Sequence, residues 1–118
     1  MKKIIFIDDE ENLLTSLKRS LRNLTEDWIP FFETDPVKAF ELIEKEMPDV
    51  IVTDYKMPGM NGIELLEKSR KLNPSVKTIL LSGQSENEVF EKAKKVTDNY
   101  ITKPCDFDEL KKTILSLF

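Results

Sequence analysis

The stretch that decides the fold is VIVTDYKMPGMNG, residues 50–62. Its first residues are apolar or β-branched, which predicts a strand over Val50–Thr53. Asp54 follows that strand, and Pro58 and Gly59 then predict a loop. Open parallel sheets bind their ligands at the carboxyl ends of their strands, so Asp54 is a candidate functional residue.

Similar β-branched runs lie on both sides of this stretch, and apolar stripes at helical spacing separate them. The predicted strands are Ile4–Ile7, Val50–Thr53, Val76–Ser82 and Asn99–Thr102. A fifth strand, Trp28–Phe32, is expected at an edge of the sheet because Pro30 has no amide hydrogen to donate. Strands that alternate with helices predict an α/β fold with right-handed crossovers, in which a doubly wound parallel sheet carries helices on both faces. Residues 1–118 are expected to form one domain.

One helix has clear sequence signals at both ends. Asp35 is expected to cap a helix that begins at Pro36, and Met47-Pro48 is expected to end it. The stripe from Phe107 to Leu117 predicts a last helix, and a weaker pattern predicts another near Glu86–Val96.

Composition and charge exclude several classes of protein. The chain has 118 residues, 40% of them hydrophobic, with one cysteine and a net charge of −4. This acidic balance argues against direct nucleic-acid binding. The apolar run Ile4–Ile7 is too short for an export signal, and no run reaches the length of a membrane span. A single Cys105 cannot form an internal disulfide, so a cytoplasmic location is expected.

Polar residues follow the predicted strands at their carboxyl ends, where they should meet on one rim of the sheet. These residues are Asp8, Asp9, Asp54, Ser82 and Lys103. The acids from Asp8 to Glu11 have a simple alternative role, since carboxylates cap and stabilise a helix amino end. Together with Asp54, however, they would crowd negative charge unless protons or a cation intervened. Carboxylates supply hard oxygen ligands, and a set of ligands too small to surround the ion favours Mg²⁺, which keeps several waters.

Each rim residue also has a structural and a chemical interpretation. Asp54 could be an ordinary turn residue, but beside a divalent cation its carboxylate could attack phosphorus and form an aspartyl phosphate. Lys103 could be a surface lysine, or it could pair with a phosphoryl oxygen near Asp54. Ser82 could cap the next helix or donate to the same phosphoryl group.

Three segments resemble the receiver domain of bacterial two-component response regulators, and the resemblance covers essentially the whole chain. Residues 4–10, IIFIDDE, resemble the opening strand and acidic pair of that family. Residues 54–62, DYKMPGMNG, resemble its phosphoacceptor loop, and residues 100–104, YITKP, its last strand. All three occur in order and at receiver-like separations, which makes the resemblance specific.

The resemblance implies a flavodoxin-like (βα)5 fold with strand order 2-1-3-4-5. It implies that Asp54 accepts phosphate from a sensor histidine kinase or phosphotransfer protein, with Mg²⁺ held by Asp54, by Asp8 or more directly Asp9, and by the Lys56 carbonyl. Ser82 and Lys103 would bind the phosphoryl group, and Tyr100 would change rotamer on activation. The Lys103–Pro104 peptide bond is expected to be cis.

The resemblance further implies a phosphoacceptor domain that catalyses its own phosphorylation and dephosphorylation and turns over no separate substrate. Its partners would be a downstream effector domain or protein, or a second copy in a phosphorylation-dependent homodimer. Departures from the family pattern fall near this output face: Cys105 replaces an aromatic residue, Gly83 stands where alanine is commoner, and Val96-Thr97-Asp98 replaces a Gly-Ala pair.

Two other functions are compatible with parts of the sequence. An aspartate-nucleophile, Mg²⁺-dependent phosphatase would carry a second acid two residues after Asp54, where this chain has Lys56. A receiver-like interaction module that is never phosphorylated would not need Asp9, Asp54, Ser82 and Lys103, and all four are present.

Overall fold

Five parallel strands form one sheet in the order β2-β1-β3-β4-β5, which confirms the predicted doubly wound, flavodoxin-like arrangement. The computed structural model describes residues 1–22, 27–83, 91–97, 99–104 and 106–118. The strands are β1 (Lys2–Ile7), β2 (Trp28–Glu33), β3 (Val50–Asp54), β4 (Lys77–Ser82) and β5 (Asn99–Thr102). Because all five are parallel, their carboxyl ends lie along one rim.

The helices are α1 (Glu11–Ser20), α2 (Pro36–Glu46), α3 (Gly62–Leu72) and α4 (Phe107–Ser116). Residues 91–93 are also helical. They belong to the helix predicted near Glu86–Val96, but residues 94–96, also predicted as helix, form a turn. Residues 86–90 of that prediction lie outside the described residues, as does Cys105.

The edge position of β2 confirms the prediction made from Pro30. In the described residues β2 pairs with β1 alone, and Pro30 lies opposite Ile4. A residue without an amide hydrogen is tolerated here because one side of an edge strand needs no sheet partner. The strand limits differ slightly from the predicted ones, since β1 already begins at Lys2 and Val76 precedes β4.

The helix ends follow from local hydrogen bonds. The Asp35 carboxylate accepts from the Val37 amide at 2.9 Å, as predicted for a cap before Pro36. Met47 ends α2 in the left-handed conformation with φ 46°. At the start of α3, the Asn61 side chain accepts from the Glu64 amide at 2.9 Å, and Glu64 accepts from the Asn61 amide in return. This reciprocal cap fixes where the loop after β3 ends.

The sheet separates two hydrophobic cores. One core, on the side of α1 and α4, includes Ile4, Phe6, Val50, Val52, Ile79, Leu81, Leu17, Leu110 and Ile114. The other, on the side of α2 and α3, includes Ile5, Ile7, Ile51, Leu80, Ala39, Ile43, Leu65 and Leu66. Side chains alternate between the faces of a strand. By this alternation, Asp8 and Asp54 fall on the side of the sheet that carries the first core, in series with Phe6 and Val52. Thr53 and Ser82 fall on the side of the second core, in series with Ile51 and Leu80.

Candidate functional site

Three carboxylates meet at the carboxyl ends of β1 and β3. Asp8 and Asp9 follow β1, and Asp54 is the last residue of β3. One oxygen of each carboxylate lies within 4.8 Å of the others. Asp8 and Asp54 are only 2% and 6% exposed, whereas Asp9 is exposed to solvent. The adjacency of β1 and β3 therefore brings together the three acids that the sequence placed on one rim.

Lys103 also joins this cluster, although it follows β5, which lies at the edge of the sheet and is separated from β3 by β4. Its Nζ atom lies 2.8 Å from Asp8 Oδ2 and 3.2 Å from Asp54 Oδ1. Its backbone amide donates to the Ser82 carbonyl at 2.6 Å, which extends the pairing of β4 and β5 to the rim. The Lys103–Pro104 peptide bond is cis, as the resemblance implied. One ammonium thus bridges two buried carboxylates that come from different strands.

The acidic run fulfils only part of the simpler role, because Glu11 lies in the first turn of α1, where a carboxylate stabilises the helix amino end, while side-chain capping is missing at Glu10. Glu10 is the N-cap residue of α1, and its side chain makes no capping hydrogen bond. Asp8 Oδ1 accepts from the Glu10 amide at 2.9 Å, while its other oxygen faces Lys103. Asp54 is likewise oriented by a hydrogen bond from the Tyr55 amide at 3.0 Å. Backbone amides therefore aim both buried carboxylates at the ammonium.

The electrostatics of the cluster favour a cation. Burial, with the negative charges of Asp8 and Asp9, raises the pKa of Asp54 to about 6 against the opposing effect of Lys103. Burial by itself would lower the pKa of Lys103, but its hydrogen bond to Asp8 and the charge of Asp54 outweigh that effect and raise it. A cation near these acids would favour the ionised form of Asp54.

The cluster borders an open pocket of about 510 Å³. Its lining residues are Asp9, Glu10, Asp54, Lys56, Met57, Pro58, Gly83 and Lys103. Ser82 is fully buried, and the neighbouring Gly83 lines the pocket instead. Tyr100 is half-buried and packs with the second core. The structure thus gathers Asp8, Asp9, Asp54 and Lys103, places Lys56 at the pocket wall, and keeps Ser82 and Tyr100 outside the lining.

Gly62 shapes the site, although the sequence predicts only a loop residue at this position. A Cβ atom at this position would overlap the Asp54 carbonyl oxygen and would lie 2.7 Å from Leu80 Cδ1 and 3.0 Å from Tyr55 Cα. The Gly62 amide donates to the Tyr55 carbonyl at 2.8 Å. The absence of a side chain therefore lets α3 begin directly against the end of β3. The only sign of this role in the sequence is that a glycine, Gly62, stands at the end of the loop after Asp54.

The donor set fits a hard divalent cation. Three carboxylates from two strand ends supply oxygen ligands on one side, and the open pocket leaves the other side to water or a ligand. Mg²⁺ prefers oxygen ligands, keeps several waters and commonly shares its site with a phosphate group.

Comparison with known families identifies the kind of domain to which this site belongs. A family model described as "Response regulator receiver domain" matches residues 4–115. The chain belongs to the response regulator receiver family. The phosphatase interpretation loses its support, because the family is that of a signalling domain.

Relatives of this receiver domain include both short and long proteins. Sporulation initiation phosphotransferase F of Bacillus subtilis is 25% identical over 114 residues, which cover 96% of this chain and 90% of that protein. The uncharacterized transcriptional regulatory protein YesN of Bacillus subtilis is 34% identical over 113 residues, covering 93% of this chain but only 30% of the relative. The receiver domain thus matches nearly all of the first relative and less than a third of the second.

Solved structures show the same architecture. The crystal structure of a CheY-like response regulator receiver domain protein from Methanospirillum hungatei JF-1 superposes with a TM-score of 0.90 at 30% identity. The superposition covers 99% of this chain and 93% of that one. Within the described residues, no helix combines the length and the apolar character needed to cross a membrane.

Proposed function

We propose that this receiver domain, residues 1–118, accepts a phosphoryl group on Asp54 from a sensor histidine kinase or phosphotransfer protein in a Mg²⁺-dependent reaction. The observation that carries the proposal is the Asp54 carboxylate at the edge of an open pocket, 3.2 Å from the Lys103 ammonium and beside two further acids. In the transfer, an Asp54 oxygen forms a bond to phosphorus while the phosphorus–nitrogen bond of a phosphohistidine breaks. The electron pair of that bond returns to the imidazole.

Asp8, Asp9, Asp54 and the Lys56 carbonyl would hold the Mg²⁺ ion. When bound, the ion would offset negative charge on the transferring phosphoryl oxygens. Lys103 is placed to pair with one of those oxygens, because its ammonium already contacts the Asp54 carboxylate. The same residues support autocatalysis, since the domain itself would supply the groups that stabilise transfer to and from Asp54.

The surface next to the site suits a protein phosphodonor. A second cavity, of about 350 Å³, lies between α1 and α4 and is mostly apolar. Its lining residues are Glu10, Leu13, Leu17, Leu81, Lys103, Pro104, Phe107 and Leu110. Glu10 and Lys103 also line the pocket at Asp54, so the two cavities adjoin. A donor protein that brings its histidine to Asp54 would cover both, and it would meet this domain in the cytoplasm.

Output would depend on residues outside the pocket. Ser82 ends β4 and is fully buried, and Tyr100 lies on the neighbouring β5. A phosphoryl group on Asp54 would offer Ser82 a charge-assisted hydrogen bond that exists only in the phosphorylated state. Movement of Ser82 and Tyr100 would then change the face near β5 and α4 that binds an effector domain, an effector protein or a second copy. Ser82→Ala should leave Asp54 phosphorylation possible but uncouple it from association, as measured by light scattering.

The test of the acceptor uses a small phosphodonor. Incubation with acetyl phosphate and Mg²⁺ should add one phosphoryl group, seen by intact mass spectrometry and removed by hydroxylamine. Asp54→Asn should abolish the addition, whereas Asp49→Asn is the control, because Asp49 lies at the opposite end of β3 and bonds the Lys3 amide. Asp9→Asn should keep the acceptor but weaken Mg²⁺ binding. Equal labelling of the Asp54→Asn and wild-type proteins would refute the proposal.

A further inference from the structure

The backbone carbonyl of Asp54 is held by two residues that the proposed chemistry does not use. The Thr53 hydroxyl donates to this carbonyl oxygen at 3.0 Å. Gly62 also approaches so closely that a Cβ atom there would overlap the same oxygen. The carbonyl after the candidate acceptor is therefore hydrogen-bonded by Thr53 and closely packed against the start of α3.

Thr53 reaches this carbonyl from the side of the sheet that carries α2 and α3. It is fully buried, between Ile7 of β1 and Leu80 of β4 in the register of the strands. Its side chain continues the series of Ile51, on the side of α2 and α3. The hydroxyl also lies 4.0 Å from the sulfur of Met57, which lines the pocket. The Thr53 hydroxyl thus contacts Asp54 and Met57, which precede and follow Lys56 in the sequence.

We propose that Thr53 is a positioning residue, whose hydroxyl holds residues 54–57 so that the Asp54 carboxylate and the Lys56 carbonyl face the cation site together. The inference rests on the proposed function, because it concerns how this chain shapes its own Mg²⁺ site. Apolar residues would satisfy the packing at this position equally well, and Val50, Ile51 and Val52 fill the rest of β3. The hydroxyl is distinguished from them by its hydrogen bond to the Asp54 carbonyl.

The chemistry of the substitution separates positioning from packing. Thr53→Val keeps the branched shape and the strand preference of threonine but removes the donor. The Asp54 carbonyl then loses a buried hydrogen bond. Thr53→Ser keeps the donor and removes a methyl group. If the hydroxyl positions the site, serine rescues Mg²⁺ binding and valine does not.

A second buried threonine supplies the matched control. Thr78 is also fully buried and lies on the adjacent strand β4. Its hydroxyl donates to Thr97 Oγ1 at 3.2 Å and to the Val96 carbonyl at 3.4 Å, near the amino end of β5. Thr78→Val therefore removes a buried hydroxyl without touching the loop after β3.

The experiment measures Mg²⁺ affinity of the folded full chain by following backbone amide resonances during a MgCl₂ titration. Thr53→Val should weaken Mg²⁺ binding about tenfold, the lower end of the usual effect of groups that orient metal ligands. Thr53→Ser and Thr78→Val should keep an affinity close to that of the wild type, because both retain the Thr53 position's hydroxyl donor. The rate of labelling by acetyl phosphate at saturating Mg²⁺ is measured in parallel. If the valine variant does not fold, Thr53→Ala replaces it, since alanine also lacks the hydroxyl.

Each result has a defined meaning. Wild-type affinity in Thr53→Val, or equal losses in Thr53→Val and Thr78→Val, would overturn the positioning role. A loss in Thr53→Ser as large as in Thr53→Val would overturn it too, because the methyl group would then be the important part. Failure of the wild-type protein to bind Mg²⁺ or take up phosphate would instead refute the proposed function, and this inference with it.

Discussion

Gly62→Ala tests whether α3 must begin directly against the end of β3. The added methyl group would overlap the Asp54 carbonyl oxygen and lie 2.7 Å from Leu80 Cδ1 and 3.0 Å from Tyr55 Cα. Leu80 can change its rotamer, but the other two atoms belong to the backbone. Relief therefore requires a shift of the loop after β3 or of the first turn of α3.

The expected cost follows from these contacts. Forcing a methyl group into a filled space costs about 1–3 kcal/mol. Alanine recovers at most about 1 kcal/mol through its helix preference, and less at the first position of a helix. The free energy of unfolding should therefore fall by about 1–2 kcal/mol, which lowers the Tm by about 4–8 °C for a domain of this size. Displacement of the Asp54 backbone should slow labelling by acetyl phosphate about tenfold or more.

Urea unfolding followed by tryptophan fluorescence measures the stability loss. The chain has one tryptophan, Trp28, which is 7% exposed and begins β2 at the opposite end of the sheet from the loop. Gly59→Ala is the comparison, because a Cβ atom at Gly59 meets nothing within 4 Å and only its φ of 89° opposes a side chain. A Gly62→Ala protein with the wild-type urea midpoint and labelling rate would show that this close approach is unnecessary.

Three further predictions concern other parts of the molecule. Lys103→Met should raise Mg²⁺ affinity several-fold in calorimetry, because the ammonium at Asp8 no longer competes, yet slow acetyl phosphate labelling about a hundredfold. Thr97→Val should lower stability to urea by about 1 kcal/mol, and by less in a Thr78→Val background, since the two hydroxyls bond each other at 3.2 Å. Leu13→Glu should slow transfer from a histidine kinase that phosphorylates the wild type but leave acetyl phosphate labelling unchanged.

The sequence predicted most of the strands and helices and their order along the chain, because β-branched runs and helical stripes are local signals. Pro30 identified an edge strand, and the polar residues after each apolar run identified the functional rim. Parallel strands necessarily bring their carboxyl ends together, so the proximity of Asp8, Asp54 and Lys103 follows once the sheet is inferred. Residue type and strand position were sufficient for this part of the site.

Other features depend on contacts between distant elements. Lys103 approaches Asp8 at 2.8 Å, more closely than Asp54 at 3.2 Å, and no local pattern in the sequence encodes this difference. Thr53 fits a strand by propensity alone, and only the folded loop reveals that its hydroxyl reaches the Asp54 carbonyl. The Asn61-x-x-Glu64 capping box is a local pattern, but the prediction for residues 54–62 was only a loop, and the structure revealed the cap.

The alternation of side chains across the sheet constrains how a change at Asp54 could reach the rest of the molecule. Asp8 and Asp54 continue the core beneath α1 and α4, whereas Thr53 and Ser82 continue the core beneath α2 and α3. Tyr100 also packs with that second core. Ser82 and Tyr100 therefore belong to the same series, and a phosphoryl group on Asp54 would reach that series at the strand ends, through the hydrogen bond proposed for Ser82. Coupling would then pass from Asp54 to Ser82 at the rim and from there to the side of the sheet on which Tyr100 packs.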